Sequence, residues 1–207
     1  MAAPMSLPPG LHAVLDGHLA TIVTYLEMRA PPAPRSDPPS DGLTLTRLEA
    51  PSPDRMRAMI RAVGTDWLWQ AVLSMPEGEL AAMLGDRGYE VHGLRRDGAE
   101  VGLVALDYRA PGECEIAFFG VTPDAVGTGA ARWAMNRTLE MAWARDIGRL
   151  WLHTCTLDHP GALAFYRRTG FTPTHQEVEV LPDPRLRGLL PMEAGPHIPL
   201  AKGAPAG

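Results

Sequence analysis

The chain has 207 residues, 45% hydrophobic and 21% charged, the size of one globular domain with a full core. Its formal net charge of -5 is spread without long runs, and no basic stripe interleaved with aromatics argues for binding DNA or RNA. No apolar run is long enough for a bilayer and no basic stretch with an apolar core opens the chain, so we expect no membrane span, no secretory signal and a cytoplasmic protein.

Residues 1–10 are small and proline-rich and should be loose. Leu19–Met28 carries enough β-branched and aromatic residues for a strand, with a short helix as the alternative. The next stretch, RAPPAPRSDPPSDG, cannot pair inside a sheet and reads as an exposed linker. It joins an N-terminal arm, residues 1–41 with the linker, to a main domain, residues 42–181. Leu43–Leu48 alternates as a strand, after which Ser52 offers an N-cap with Pro53 in the first turn. Met56, Met59, Ile60 and Val63 mark one helical face, which Gly64 ends. Ser74-x-x-Glu77 has the spacing of a capping box opening a short helix through Leu84. Tyr89–Arg95 and Glu100–Tyr108 are strands joined by Asp97-Gly98, a strong hairpin signal, and Ala110-Pro111-Gly112 forms a second turn.

Ile116 to Val121 is a nearly continuous apolar run of core-strand length, stopped by Pro123. From Ala131 the apolar residues fall at helical spacing, through Met135, Leu139 and Ala142. Between strand and helix, Val126-Gly127-Thr128-Gly129-Ala130-Ala131 has almost no side-chain bulk. A turn of this kind leaves the first helical amides pointing outward with the positive end of the helix dipole behind them, a site for a phosphate. By itself it is equally consistent with a glycine turn that binds nothing. Leu150–His153 follows as a strand, then a helix from Asp158 or His159 to Thr169 with Gly170 as its stop, then a last strand Phe171–Leu181. Residues 182–207 form a proline-rich tail unsuited to a regular strand.

Val121-x-Pro123-x-x-x-Gly127-x-Gly129, preceded by Glu115-Ile116, resembles the acetyl-CoA motif of the GNAT superfamily of acyl-CoA-dependent N-acyltransferases. The downstream run Ala162-Leu163-Ala164-Phe165-Tyr166-Arg167-Arg168-Thr169-Gly170-Phe171 is similar to that family's A-x-x-F-Y-x-x-x-G-F pattern, in the right order and at the right distance. The resemblance covers roughly residues 42–180. It implies an α/β (α+β) fold with a mixed, mostly antiparallel twisted sheet, a central parallel strand pair and helices on both faces. It also implies acetyl-CoA as acyl donor and N-acetyl transfer to an amine, with homodimers common among relatives. Asp124 and Val126 stand where that family often has Gln, Arg or another basic residue, which leaves the backbone amides to carry more of the phosphate binding. The family closes its sheet with a further strand that this tail cannot supply, and residues 19–28 are the segment able to fold back in its place.

The same resemblance distributes the chemistry. Phe119 and Val121 would pair with the pantetheine arm through main chain where their strand splays from its parallel neighbour, and an N–H near Phe119 would polarise the thioester carbonyl. Val126, Gly127, Thr128, Gly129, Ala130 and Ala131 would hold the diphosphate, with Asp158 and Phe165 also touching the cofactor. Asp158 has a sufficient structural reason as a helix N-cap too. Tyr166 takes the general-acid position, since a phenol with pKa near 10 stays protonated at neutral pH and can donate to a departing thiolate. Glu115 is the candidate general base or a solvent-facing carboxylate, and His153 is a second candidate base that reaches the acceptor pocket. Trp67 and Trp69 either line that pocket or pack the core.

Other chemistries fit less well. Arg132 occupies the position of the third glycine in a dinucleotide fingerprint, and Lys202 is the only lysine, which excludes a P-loop. His153, Cys155, Asp158 and His159 crowd together at a spacing that matches no closed zinc site, so no metal is expected. Cys114 and Cys155 suggest a reducing compartment, with a disulfide left open. A fold that binds acyl-CoA without catalysis is the alternative function, and nothing in the sequence identifies the acceptor, a small-molecule amine or a peptide N-terminus.

Overall fold

The computed structural model of the chain describes residues 6–200. The first five and last seven residues, within the loose N-terminal stretch and the proline-rich tail expected from the sequence, lie outside the described residues. Strands β1 (His18–Met28) and β2 (Leu43–Leu48) lead into helix α1 (Pro53–Gly64), a 3₁₀ turn at Thr65–Trp67, and the short helices α2 (Ala71–Ser74) and α3 (Glu77–Gly85). Strands β3 (Tyr89–Arg96), β4 (Ala99–Asp107) and β5 (Glu113–Val121) follow, then α4 (Ala130–Trp143), β6 (Arg149–Cys155), α5 (Ala162–Thr169) and β7 (Thr172–Pro182).

Local chemistry explains most boundaries. Ser52 caps α1 by accepting the Arg55 amide at 3.3 Å, with Pro53 fixing the first turn. Asp97 and Gly98 both adopt positive φ, +51° and +84°, the geometry that matches a two-residue hairpin to strand twist. Gly170, at φ +115°, terminates α5 through amide bonds back to Arg167 and Tyr166. The expected capping box at Ser74 does not form. Pro76 precedes α3 without a side-chain cap, while the Ser74 hydroxyl ends α2 by donating to the Ala71 carbonyl at 3.2 Å. Pro76 disfavours helical backbone at the residue before it, and Met75 sits extended at ψ 132°, so the two helices separate.

All seven strands form one sheet in the order β2-β3-β4-β5-β6-β1-β7. Neighbours are antiparallel except β5 and β6, the parallel pair. Residues 19–28 are strand rather than helix, and β1 lies between β6 and β7, hydrogen-bonded along both edges. Alternation along the strands divides the core into two layers. Leu103 and Ala105 face α1–α3, with Met56, Ile60 and Leu80, whereas Val104 and Leu106 face α4 and α5, with Met135, Leu139 and Tyr166. Leu26 and Met28 of β1 join the second layer at 0% and 5% exposure, so the N-terminal strand is core.

The proline-rich stretch after β1, expected as an exposed linker, is a strap tied across α5 and α4. Arg35 donates to the Thr169 hydroxyl at 2.9 Å, the Ser36 carbonyl accepts from Arg132 at 2.6 Å, and Asp37 accepts from Asn136 at 2.7 Å while ion-pairing with Arg137 at 3.0 Å. Proline keeps the strap extended, and without a strand partner its polar groups turn to the helices. β7 takes in Pro182, the first tail residue; beyond it the described part of the tail, residues 183–200, forms no strand yet packs on the α1–α3 layer with Leu190 and Ala194 buried. Its anchor is a buried pair, Arg185 on Asp183 at 2.6 Å, whose guanidinium also donates to the carbonyls of Ala194 and Ile198.

Candidate functional site

β5 and β6 pair only at Glu113–Arg149, Cys114–Leu150 and Glu115–Trp151, although β5 continues to Val121 and β6 to Cys155. Beyond Glu115 the two strands part. On its other edge β5 is irregular, since the register with β4 skips Ala117 between Ile116 and Phe118. Such a bulge kinks a strand and re-aims its side chains. From Ile116 onward one edge of β5 therefore has no strand beside it, and a cavity of about 780 Å³ opens in the gap.

Residues from both layers line this cavity. Phe119 and Val121 of β5 border it with Val126, Gly127, Gly129 and Ala131 from the turn into α4. Gly127 and Gly129 hold φ of +79° and +88°, which a side chain at Cβ would strain, and the space beside Gly127 is open. The amides of Gly127, Gly129, Ala131 and Arg132 find no acceptor among the described residues, so the cradle offers unpaired donors at a helix start, the chemistry a diphosphate requires. Thr128 and Ala130 do not line the cavity. The Thr128 hydroxyl donates to the Ala125 carbonyl at 2.8 Å and the Ala130 side chain is fully buried, so both shape the turn from behind.

Phe165 and Tyr166 reach the cavity from α5, the first stacked on Phe119 with ring centroids 5.8 Å apart. Tyr166 is buried, and its hydroxyl makes no hydrogen bond among the described residues. Burial, then the charge of Asp158, pushes its pKa far above the ordinary phenol value, so it holds its proton throughout the physiological range. Asp158 lines the cavity but is not the cap of α5, which begins after Gly161 without a side-chain cap. Its carboxylate instead accepts Trp69 Nε1 at 2.8 Å, the Thr154 hydroxyl at 2.7 Å and the Cys155 amide at 2.8 Å. One carboxylate thus ties the end of β6 to the 3₁₀ region on the opposite layer. Trp69 fits there because Gly64 and Gly120 lack a Cβ, which at Gly64 would lie 2.6 Å from the indole. Trp67 also lines the cavity, edge-on to His159 at 5.1 Å.

His153 borders the cavity and Glu115 does not, although the two are coupled, with Nδ1 3.5 Å from Glu115 Oε1. The interaction with Glu115 raises the His153 pKa above its ordinary 6.5, burial opposes this, and the charges of Asp158 and Glu179 add to it. Cys155 also lines the wall, and burial pushes its thiol up, away from the thiolate a nucleophile needs. Both cysteines are free. Among the described residues no group of three or more His, Cys, Asp or Glu side chains is arranged to hold a metal ion, and no helix is long and apolar enough to cross a membrane.

Several wall residues carried no signal in the sequence. Val23 of β1, Glu179 and Leu181 of β7, and Arg187 of the tail reach the wall only because β1 pairs with β6 and β7 pairs with β1. Arg168 stands inside the matched aromatic run and Arg132 inside the glycine turn's helix, where their basic charge was the legible clue.

Residues 56–171 match the model of the acetyltransferase (GNAT) family. None of the curated proteins compared matches the sequence. Among solved structures, a GCN5-related N-acetyltransferase from Sphaerobacter thermophilus aligns over 80% of this chain with a TM-score of 0.56 and 15% identity, and this chain spans 53% of that one. An aminoglycoside acetyltransferase from an uncultured soil metagenomic sample, in complex with sisomicin, gives 0.51 at 19% identity over 67% of this chain and 93% of its own. The ribosomal-protein-S18-alanine N-acetyltransferase of Escherichia coli gives 0.52 at 16% identity over 68% and 94%. With more than half its length matched and the parted strand pair, glycine turn and Phe-Tyr helix meeting at one cavity, the chain belongs to the GNAT family of acetyltransferases.

Proposed function

We propose that the protein transfers an acetyl group from acetyl-CoA to a primary amine by direct attack, with His153 as the base and Tyr166 as the acid. The parting of β5 from β6 carries this reading, because it puts the amide cradle at Gly127, the Tyr166 hydroxyl and the His153 imidazole on one continuous cavity. Acetyl-CoA would supply the activated thioester, its diphosphate on the amides around Gly129 and its arm along the free edge of β5. Most amines arrive as ammonium, and His153, kept basic by Glu115, takes that proton. The amine nitrogen then bonds to the carbonyl carbon and sheds its surplus proton, the carbon–sulfur bond breaks, and the thiolate receives the Tyr166 proton, which the proton shed by nitrogen restores to the phenol. The raised Cys155 thiol argues against a covalent acyl-enzyme.

The division between His153 and Glu115 refines the sequence expectation: the histidine reaches the cavity and the carboxylate sets its proton affinity. A cationic acceptor, small molecule or peptide N-terminus, fits the wall best, since Glu179 lines it and Glu177 stands beside Tyr25 at 3.0 Å on the same sheet face. The related structures include one enzyme named for aminoglycosides and one for a ribosomal-protein alanine, both amine-bearing acceptors. The free cysteines support a reducing, cytoplasmic location.

The test is CoA release measured across a panel of polyamines, aminoglycosides, amino acids and peptide N-termini. Turnover with at least one amine, reduced about 100-fold or more in Tyr166→Phe with CoA binding retained, supports transfer. Tight CoA binding with no turnover across the panel would leave a binding protein instead.

A further inference from the structure

Three arginines from distant parts of the chain converge beside the glycine cradle. Arg132 stands in the first turn of α4, Arg168 near the end of α5, and both line the cavity. Arg35 comes from the strap, outside the segment that matches the family, and is fixed by its bond to the Thr169 hydroxyl. The charges of Arg132 and Arg168 bear on Arg35, and burial together with them lowers its pKa, with no acidic group offsetting the effect. None of the three forms an ion pair among the described residues, whereas Arg137 one turn along pairs with both Asp37 and Glu140. Gathering like charges without a counter-charge is unfavourable unless an anion joins them. The cradle already has amides for a diphosphate, so a second anionic group is what the cluster lacks. The strap's placement is firm, because Pro38 packs on Gly129, where a Cβ would approach it to 3.1 Å.

Resting on the transfer reading above, we infer that Arg35, Arg132 and Arg168 form a binding site for the 3′-phosphate of the CoA donor, with Arg35 a cofactor-positioning residue contributed by the N-terminal strap. Guanidinium groups suit this task, since each presents paired donors to phosphate oxygens and keeps its charge at any working pH. The cluster also replaces the basic side chains missing at Asp124 and Val126.

Isothermal calorimetry with CoA and with 3′-dephospho-CoA tests the assignment without turnover. Wild type should bind CoA about 10-fold more tightly than the dephospho form. Arg35→Ala and, separately, Arg168→Ala should each weaken CoA by about 3- to 10-fold and leave the dephospho form unchanged. Equal affinity of wild type for the two ligands, or equal loss of both on substitution, overturns the site while leaving the transfer reading standing. Binding of neither ligand by folded wild type overturns that reading and the site with it.

Discussion

The two halves of the sheet are built by opposite means. In β2–β5, strands adjacent in space follow one another in the chain, two of the connections being tight turns at Asp97-Gly98 and Ala110–Gly112. In β6-β1-β7 the central strand comes from the start of the chain, paired with Val23 opposite Cys155 and Glu177 more than a hundred residues later. The first half is held by local signals, each of small value. The second is held by closure of a long loop, whose entropy is recovered only when β1 fills the slot between its neighbours. The same half also supplies the His153 side of the cavity, so closure of the sheet and the acceptor wall depend on the same strand.

Deleting residues 1–40 should break this contrast most severely. Removal of β1 uncovers Leu150 and Leu152, now 0% and 1% exposed, and we expect loss of a cooperative thermal transition rather than a shifted one. A soluble truncate with wild-type melting would show that β6 and β7 can close without it. Next in size is Arg185→Ala, which leaves Asp183 buried without its partner. Burial would raise that carboxyl, and the hydrogen bonds and charge of Arg185, with the Leu186 amide, hold it below its usual range. About 3 kcal/mol of stability should be lost in urea titration. A loss under 1 kcal/mol would mean the tail is not anchored by this pair.

Glu115→Gln probes the site rather than the fold. The folded His153 pKa is raised by Glu115, so in wild type the acid limb of the rate profile should lie above 6.5, and in the variant it should move to lower pH with a reduced plateau. An unmoved limb would remove His153 as the base. The same pair stabilises the fold fully below 6.5 and progressively less as pH rises through the raised value, a slope that the variant should lack. The smallest effect is expected in the local half. Gly98→Ala meets no atom within 4 Å but must hold φ +84°, costing about 1 kcal/mol in chemical denaturation. A collapse of the fold there would contradict the view that the meander is redundantly specified.

Where the sequence reading failed, a longer-range partner had outcompeted a local one. Ser74 had the capping spacing, but Pro76 broke the backbone between it and Glu77. Asp158 suited a helix start, yet three donors from Trp69, Thr154 and Cys155 claimed its carboxylate. The linker is exposed as read, but its ties went unread because nothing in its composition names the helix side chains that hold it down.

By itself the sequence determined the order and type of nearly every element, the glycine turn, the Phe165-Tyr166 run and hence the family, because those rest on periodicity, turn residues and motifs that act within a few neighbours. Tertiary structure alone decided that β1, expected from the sequence to complete the sheet, is inserted between β6 and β7, that β5 and β6 part after Glu115, and that His153 faces the cavity while Glu115 stands behind it. Each of those outcomes is a competition among distant backbone edges and buried charges, settled only when the whole sheet closes.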